Sequence, residues 1–119
     1  MFSSIQCAGR WNGWQAELTH WILVLGDQPH LREETLRKLI EFAARHADEV
    51  CQPIYKGHRR HPVVMPKKIF SELANSAAGD LKQFLTPFAS AACDMDDPGL
   101  DLDIDVPEDY ERARAAWER

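Results

Sequence analysis

The residue type best placed to do chemistry is the carboxylate Asp27. It closes the apolar run Trp21-Ile22-Leu23-Val24-Leu25 within the tetrad Gly26-Asp27-Gln28-Pro29. That order describes a strand that stops at the edge of a site. A run apolar on both faces suits the centre of a parallel sheet covered by helices on both sides. Ligands of such sheets bind outside the carboxyl ends of the strands. A carboxylate there can hold a divalent cation against a phosphate. It can equally begin a turn or cap the following helix. A second acidic position lies far downstream, in Asp103-Ile104-Asp105-Val106-Pro107-Glu108-Asp109-Tyr110. Mg²⁺ typically takes one or two carboxylates together with substrate phosphates and water. Asp27 and Asp105 are the pair whose convergence would make that site. The plainer reading of the second stretch is a charged helix start, with Pro107 at the first helical position and Glu108 and Asp109 facing the positive end of the helix dipole.

Three further constellations carry potential chemistry. The basic turn Lys56-Gly57-His58-Arg59-Arg60-His61 offers Arg59 or Arg60 as a clamp on a substrate phosphate, because a guanidinium grips two oxygens at once. Its alternative is a solvated hairpin turn. The acidic stretch from Asp94 to Asp105 has Asp94, Asp96 and Gly99 at positions one, three and six of a calcium loop. Pro98 and Asp105 stand where ligands five and twelve belong, and this argues against such a loop. The five histidines show no i, i+4 pair of the kind that binds zinc on a helix. His30 follows Gln28-Pro29 and either touches substrate or merely precedes the helix.

These residues must be positioned by one compact unit. With 119 residues, 45% of them hydrophobic, the chain has room for a single domain over 1–119. A net charge of -5 and a pI near 5.5 oppose nucleic-acid binding. Cys7, Cys51 and Cys93 are widely spaced with no C-x-x-C pattern. Cys51 and Cys93 sit in strand-like runs as small buried hydrophobes, a usage that fits a reducing, cytoplasmic setting. No signal pattern opens the chain, and no apolar run approaches the roughly 20 residues needed to cross a bilayer.

The periodicity predicts helices over 3–10 and 32–46, the latter with Leu36, Leu39, Ile40, Ala43 and Ala47 along one face. Strands are expected at 21–25, 50–55, 62–65 and 89–94. Short helices follow Pro66, with Ile69, Phe70 and Leu73 inward, and Gly79-Asp80, with Leu81, Phe84 and Leu85 inward. Residues 95–102 read as an acidic loop. A last helix runs from Pro107 to about Glu118, docking through Tyr110, Ala113 and Trp117. The alternation of helix and strand argues an α/β fold.

Taken in order, Ser3-Ser4-Ile5 with Gly9, Val24-Leu25-Gly26-Asp27-Gln28-Pro29, Pro53-Ile54-Tyr55 with Gly57, His61-Pro62-Val63, Phe70 with Glu72-Leu73, Gly79-Asp80, and Asp103-Ile104-Asp105 with Pro107-Glu108-Asp109-Tyr110 resemble the C-terminal half of the MobA-like NTP transferases, nearest the molybdenum cofactor cytidylyltransferase branch. The resemblance implies a three-layer, Rossmann-like α/β sandwich of the nucleotide-diphospho-sugar transferase type, incomplete at its N-terminus. It implies Mg²⁺-dependent transfer of a nucleoside monophosphate, CMP from CTP, to a molybdopterin-type acceptor. Asp27 and Asp105 match the family's metal-binding acidic positions, and His61 and Pro62 match a motif on the acceptor side. No stretch matches the family's Gly-rich loop, whose backbone N–H groups cradle the NTP phosphates. The expectation is therefore a half-domain that is inactive alone, or else a non-catalytic half that binds a pterin. An exposed apolar sheet edge would be covered by another copy or by a partner chain. Two departures stand out. Arg60 replaces the glycine usual before His-Pro, which either narrows the pocket or adds a phosphate contact. Val106 replaces the threonine that caps the last helix.

Overall fold

The computed structural model describes residues 1–26, 28, 31–101 and 106–117; Asp27, His30 and Asp105 lie outside the described residues. Each element follows from where its apolar residues fall. Helix α1 (Phe2–Arg10) buries Ile5, and strand β1 spans His20–Leu23. Helix α2 (Glu33–Arg45) has Glu33 and Glu34 in its first turn and Arg45 in its last, as the helix dipole favours. The buried stripe of α2 is Thr35, Leu39 and Ala43, spaced by four. This corrects the expected stripe, because Ile40 is 57% exposed and Ala47 is also exposed. A polar threonine occupies the inward position instead.

Strand β2 (Val50–Tyr55) leads through Lys56 and Gly57 into the short strand β3 (His58–Arg59). Both turn residues have positive φ, 50° and 81°, which is the geometry of a two-residue hairpin. After the cis His61-Pro62 bond come β4 (Val63–Pro66), α3 (Lys67–Phe70) and a 3₁₀ turn at Leu73–Asn75. In α4 (Leu81–Leu85) the Asp80 carboxyl accepts the Gln83 N–H at 2.7 Å, and the Gln83 side chain accepts the Gly79 N–H at 2.6 Å. These reciprocal bonds satisfy two otherwise open donors. Strand β5 (Ser90–Asp94), a 3₁₀ turn at Pro98–Asp101 and α5 (Pro107–Trp117) complete the chain.

The strands form one sheet. β1 pairs antiparallel with β4, from His20↔Pro66 to Leu23↔Val63. β4 meets β2 antiparallel at Cys51↔Val64. β5 runs parallel to β2 from Val50↔Ser90 to Ile54↔Asp94, and β3 pairs with the far end of β2. β1, β2 and β5 therefore point the same way, with β4 reversed between β1 and β2. The reversal has a simple cause: the link from β2 to β4 is a hairpin turn, and a parallel return needs a crossover of about a dozen residues or more.

The two faces of the sheet carry separate cores. On one, Val50, Val63 and Met65 pack with Ile5, Ile69, Phe70, Leu73, Leu81 and Phe84 beneath α1, α3 and α4. Trp21 and Leu23 join this side, and Trp21 stacks on Phe70 with ring centroids 4.3 Å apart. Trp14 meets Trp21 edge-on, and Trp11 meets Trp14 in the same way. On the other face, Cys51 and Val64 pack with Leu39 and Ala43 of α2. The position of β1 departs from the sequence reading. It is an edge strand, and among the described residues no strand pairs with its outer side. Ile22, opposite Val64, and Val24 lie on the α2 face but remain 41% and 48% exposed. α2 covers β2 and β4 and leaves β1 bare. On α5, Ala113 is buried, whereas Tyr110 is 54% exposed and does not dock the helix.

Candidate functional site

The carboxyl ends of β1, β2 and β5 lead respectively toward α2 through residues 24–32, into the basic turn 56–61 and into a strap spanning 95–101. These three connections meet. Leu31, Tyr55 and Leu100 form one buried apolar cluster, with Met95 against it. Leu31 lies four residues after Asp27 and Leu100 five residues before Asp105. Polar bonds reinforce the meeting. Thr35 donates its hydroxyl to Asp97 Oδ2 at 2.6 Å, and the Gly99 N–H donates to Asp97 Oδ1 at 2.9 Å. Asp97 is only 4% exposed. One turn along α2, Lys38 donates to the Asp94 carbonyl at 3.0 Å. Gln28, next to Asp27, is also 4% exposed, and its Oε1 is buried without a hydrogen-bond partner. A buried carbonyl oxygen left in that state costs about 1–3 kcal/mol unless something donates to it or it coordinates a cation.

Arg60 is held by Asp101 at the end of the strap, an ion pair between half-exposed side chains. Arg60 N–H also donates to the Pro53 carbonyl at 2.9 Å, and Gln52 donates to the Arg60 carbonyl at 3.3 Å. Arg59 points to the other side of the hairpin and donates to Ser90 Oγ at 2.6 Å. His58, Arg59, Arg60 and His61 line a cavity of about 830 Å³ that faces Asp80 and Lys82 of the α4 segment. Pro62 is fully buried behind it and supports the turn from within. His58 and Lys82 are exposed at the cavity, so their charges are available to an anionic guest. The thiol of Cys51, beneath α2, is pushed up to about 11 by burial first and by Glu49 and Cys93 second. Burial likewise raises Cys93. These are packing residues with little nucleophilic character.

Sequence reasoning missed Thr35 and Lys82, and weighed Asp97 and Asp101 only within the acidic stretch compared with a calcium loop. Two of them left signals. Asp97-Pro98-Gly99 is an aspartate-initiated turn in which the side chain accepts the N–H two residues on. Thr35 falls four residues before Leu39 and eight before Ala43, so it is a polar residue on an apolar stripe. Nothing local marks Asp101 as the partner of Arg60.

The whole is a Rossmann-like α/β sandwich with its loops gathered at one end of three parallel strands. The sequence adds the particular family. Residues 1–95 match the MobA-like NTP transferase domain, and the chain belongs to that family. The match includes Asp27 and His61-Pro62 and ends before Asp105. The chain is similar to two solved structures of Rv0371c from Mycobacterium tuberculosis H37Rv. One, a complex with manganese, is 29% identical with a TM-score of 0.64 over 92% of this chain and 58% of that one. The second is 30% identical with a TM-score of 0.60 over 84% and 52%. The chain thus spans just over half the length of these relatives. No curated protein matches it. Among the described residues no helix is long and apolar enough to cross a membrane.

Proposed function

We propose that this chain is the metal and acceptor portion of a nucleotidyltransferase that moves a nucleoside monophosphate, CMP from CTP, onto a molybdopterin-type acceptor. The observation that carries the reading is the Leu31–Tyr55–Leu100 cluster, which joins the segment following Asp27 to the segment preceding Asp105 at the strand ends. Family membership and the manganese complex of a relative support it. The donor set suits a hard cation such as Mg²⁺. It consists of the Asp27 and Asp105 carboxylates, and Gln28, which follows Asp27 in the sequence, has a buried Oε1 without a hydrogen-bond partner. Asp27 and Asp105 would hold that cation, which when bound supplies Lewis-acid stabilisation of charge on the transferred phosphoryl group. The cavity side chains His58, Arg59, His61 and Lys82 would orient the acceptor phosphate as nucleophile. A bond forms from that phosphate oxygen to the α-phosphorus, the bond to the bridging oxygen breaks, and pyrophosphate leaves. Arg60, already paired with Asp101, fixes the turn and contributes charge at the rim. The NTP phosphates require a Gly-rich cradle that no stretch of this chain resembles, so the 119-residue chain alone is expected to be inactive. In a version completed with such a segment, Asp27→Asn abolishes nucleotide incorporation. Full activity of that variant removes Asp27 from the site.

The bare edge of β1 favours a second reading, a half-domain that binds without catalysis and seats a partner chain or a second copy there. Its exposed Ile22 and Val24 support this. Turnover by the purified 119-residue chain excludes the non-catalytic reading.

A further inference from the structure

We infer that Ser90 is a positioning residue that anchors Arg59 across the sheet with its charge unspent, so that Arg59 and Lys82 grip the phosphate of an organic phosphate in the cavity. The inference rests on the acceptor role given to that cavity above, and it adds the residue that sets the grip and the character of the guest. Strand β2 lies between the two partners, because Ile54 pairs with Arg59 of β3 on one side and with Asp94 of β5 on the other. Residues directly opposite share a face, so Arg59 goes with Ile54 and Ser90 with Val50. Val50, Gln52 and Ile54 alternate along β2 on the face covered by α1, α3 and α4. The 2.6 Å bond from the Arg59 guanidinium to Ser90 Oγ therefore crosses β2 on that face. Gln52 donates to the Arg60 carbonyl at 3.3 Å and steadies the hairpin that bears Arg59.

The two adjacent arginines have opposite anchors. Arg60 is paired with the Asp101 carboxylate, which offsets its charge. Arg59 is held by a neutral hydroxyl, which takes one of its five N–H donors and offsets nothing. Its position is fixed while its charge is kept for a guest. Lys82, exposed on α4, brings a second cation to the same cavity. Asp80, the one carboxylate among the described lining residues, already accepts the Gln83 N–H. A cationic cavity on a chain of net charge -5 draws an anion to that place. Leu85 and Phe88 line it too and stay half-buried, which leaves apolar surface for the body of the guest.

The test uses the intact 119-residue chain in EDTA, titrated with phenyl phosphate and followed by ³¹P nuclear magnetic resonance. Neither a nucleotide nor a free cation is present, so the result decides the clamp alone, and the transfer reading stands or falls separately with Asp27→Asn. Phenyl phosphate is expected to bind, and inorganic phosphate about threefold or more weakly, because it covers no apolar surface. Arg59→Met weakens binding roughly tenfold or more. Ser90→Ala weakens it roughly two- to tenfold, and Ser90→Thr, which keeps the hydroxyl, retains it. Ser90→Asp separates position from charge: it still holds Arg59 but offsets the guanidinium, so it weakens binding more than Ser90→Ala does. Lys68→Met, an equal loss of charge on α3 outside the cavity, leaves affinity unchanged. Parental affinity in Arg59→Met or in Ser90→Asp overturns the clamp. Equal affinity for phenyl and inorganic phosphate overturns the organic guest. No binding by the parent overturns both, together with the acceptor role of the cavity, and leaves the cation reading standing. Should Ser90→Asp not fold, Ser90→Ala against Ser90→Thr decides in its place.

Discussion

The two faces of the sheet are built on different principles. Beneath α1, α3 and α4 the core is continuous and apolar, with Leu73, Val63 and Met65 almost wholly buried. Beneath α2 the apolar contacts divide into two small clusters, and a buried aspartate and a buried threonine stand beside them. One face holds the fold by area removed from water. The other ties the 95–101 strap to α2 by a few directed bonds, each of which specifies one geometry. The contrast teaches where substitutions act: stability is concentrated on the first face, and geometry on the second.

The contrast is broken most directly at Leu73. Leu73→Ala removes a side chain with no exposed surface and is expected to cost about 2–5 kcal/mol in denaturant unfolding. A cost below 1 kcal/mol would erase the distinction between the faces. Alkaline pH probes the second face next. In the unfolded chain a thiol titrates at its ordinary value of 9.0, whereas folded Cys51 is pushed up to about 11. The unfolded state therefore loses its proton first. Stability is complete below pH 9 and falls as pH rises towards 11. Cys51→Ala should flatten the melting temperature across that window; Cys93, which shares this face through its pairing with Pro53, is raised by burial and contributes in the same direction.

A smaller effect is expected at α5. The Asp109 side chain accepts the Val106 N–H at 3.2 Å, which is one half of a reciprocal cap. Val106 has no oxygen to complete it. Val106→Thr should add about 1 kcal/mol and raise the melting temperature; a fall would show that the threonine hydroxyl finds no donor there. The smallest effect is expected at Ile22. Because α2 leaves it half open, Ile22→Thr should change the stability of this chain by less than about 0.5 kcal/mol. A larger loss, growing with protein concentration, would mean that a second copy already covers β1.

Much of the architecture was legible in the residues. Strands alternating with helices, the position of Gly57 in a turn and the inward Leu39, Ala43, Ile69, Phe70 and Phe84 all follow from local periodicity and turn chemistry. What escaped was non-local. The run Trp21–Leu25 is apolar on both faces, and no pattern within it reveals that α2 reaches Val64 and stops short of Ile22. The reversed direction of β4 comes from the shortness of a turn rather than from the strand. Tyr110 has the spacing of a docking residue, yet the helix rests on Ala113. Asp27 and Asp105, the residues proposed to hold a cation, could be singled out by type and by resemblance. Thr35 and Asp97 could not be paired, because 62 residues separate them. Nothing local pairs Arg60, a candidate phosphate clamp by type, with Asp101.

The edge-to-face series Trp11, Trp14 and Trp21, ending in the stack on Phe70, runs from solvent to the packed side of β1, the face opposite Ile22. Three of the four tryptophans thus report on the strand whose neighbour is open. A chain that docks there should shift their ultraviolet emission without any attached dye, so intrinsic fluorescence becomes a direct assay for whatever completes this sheet.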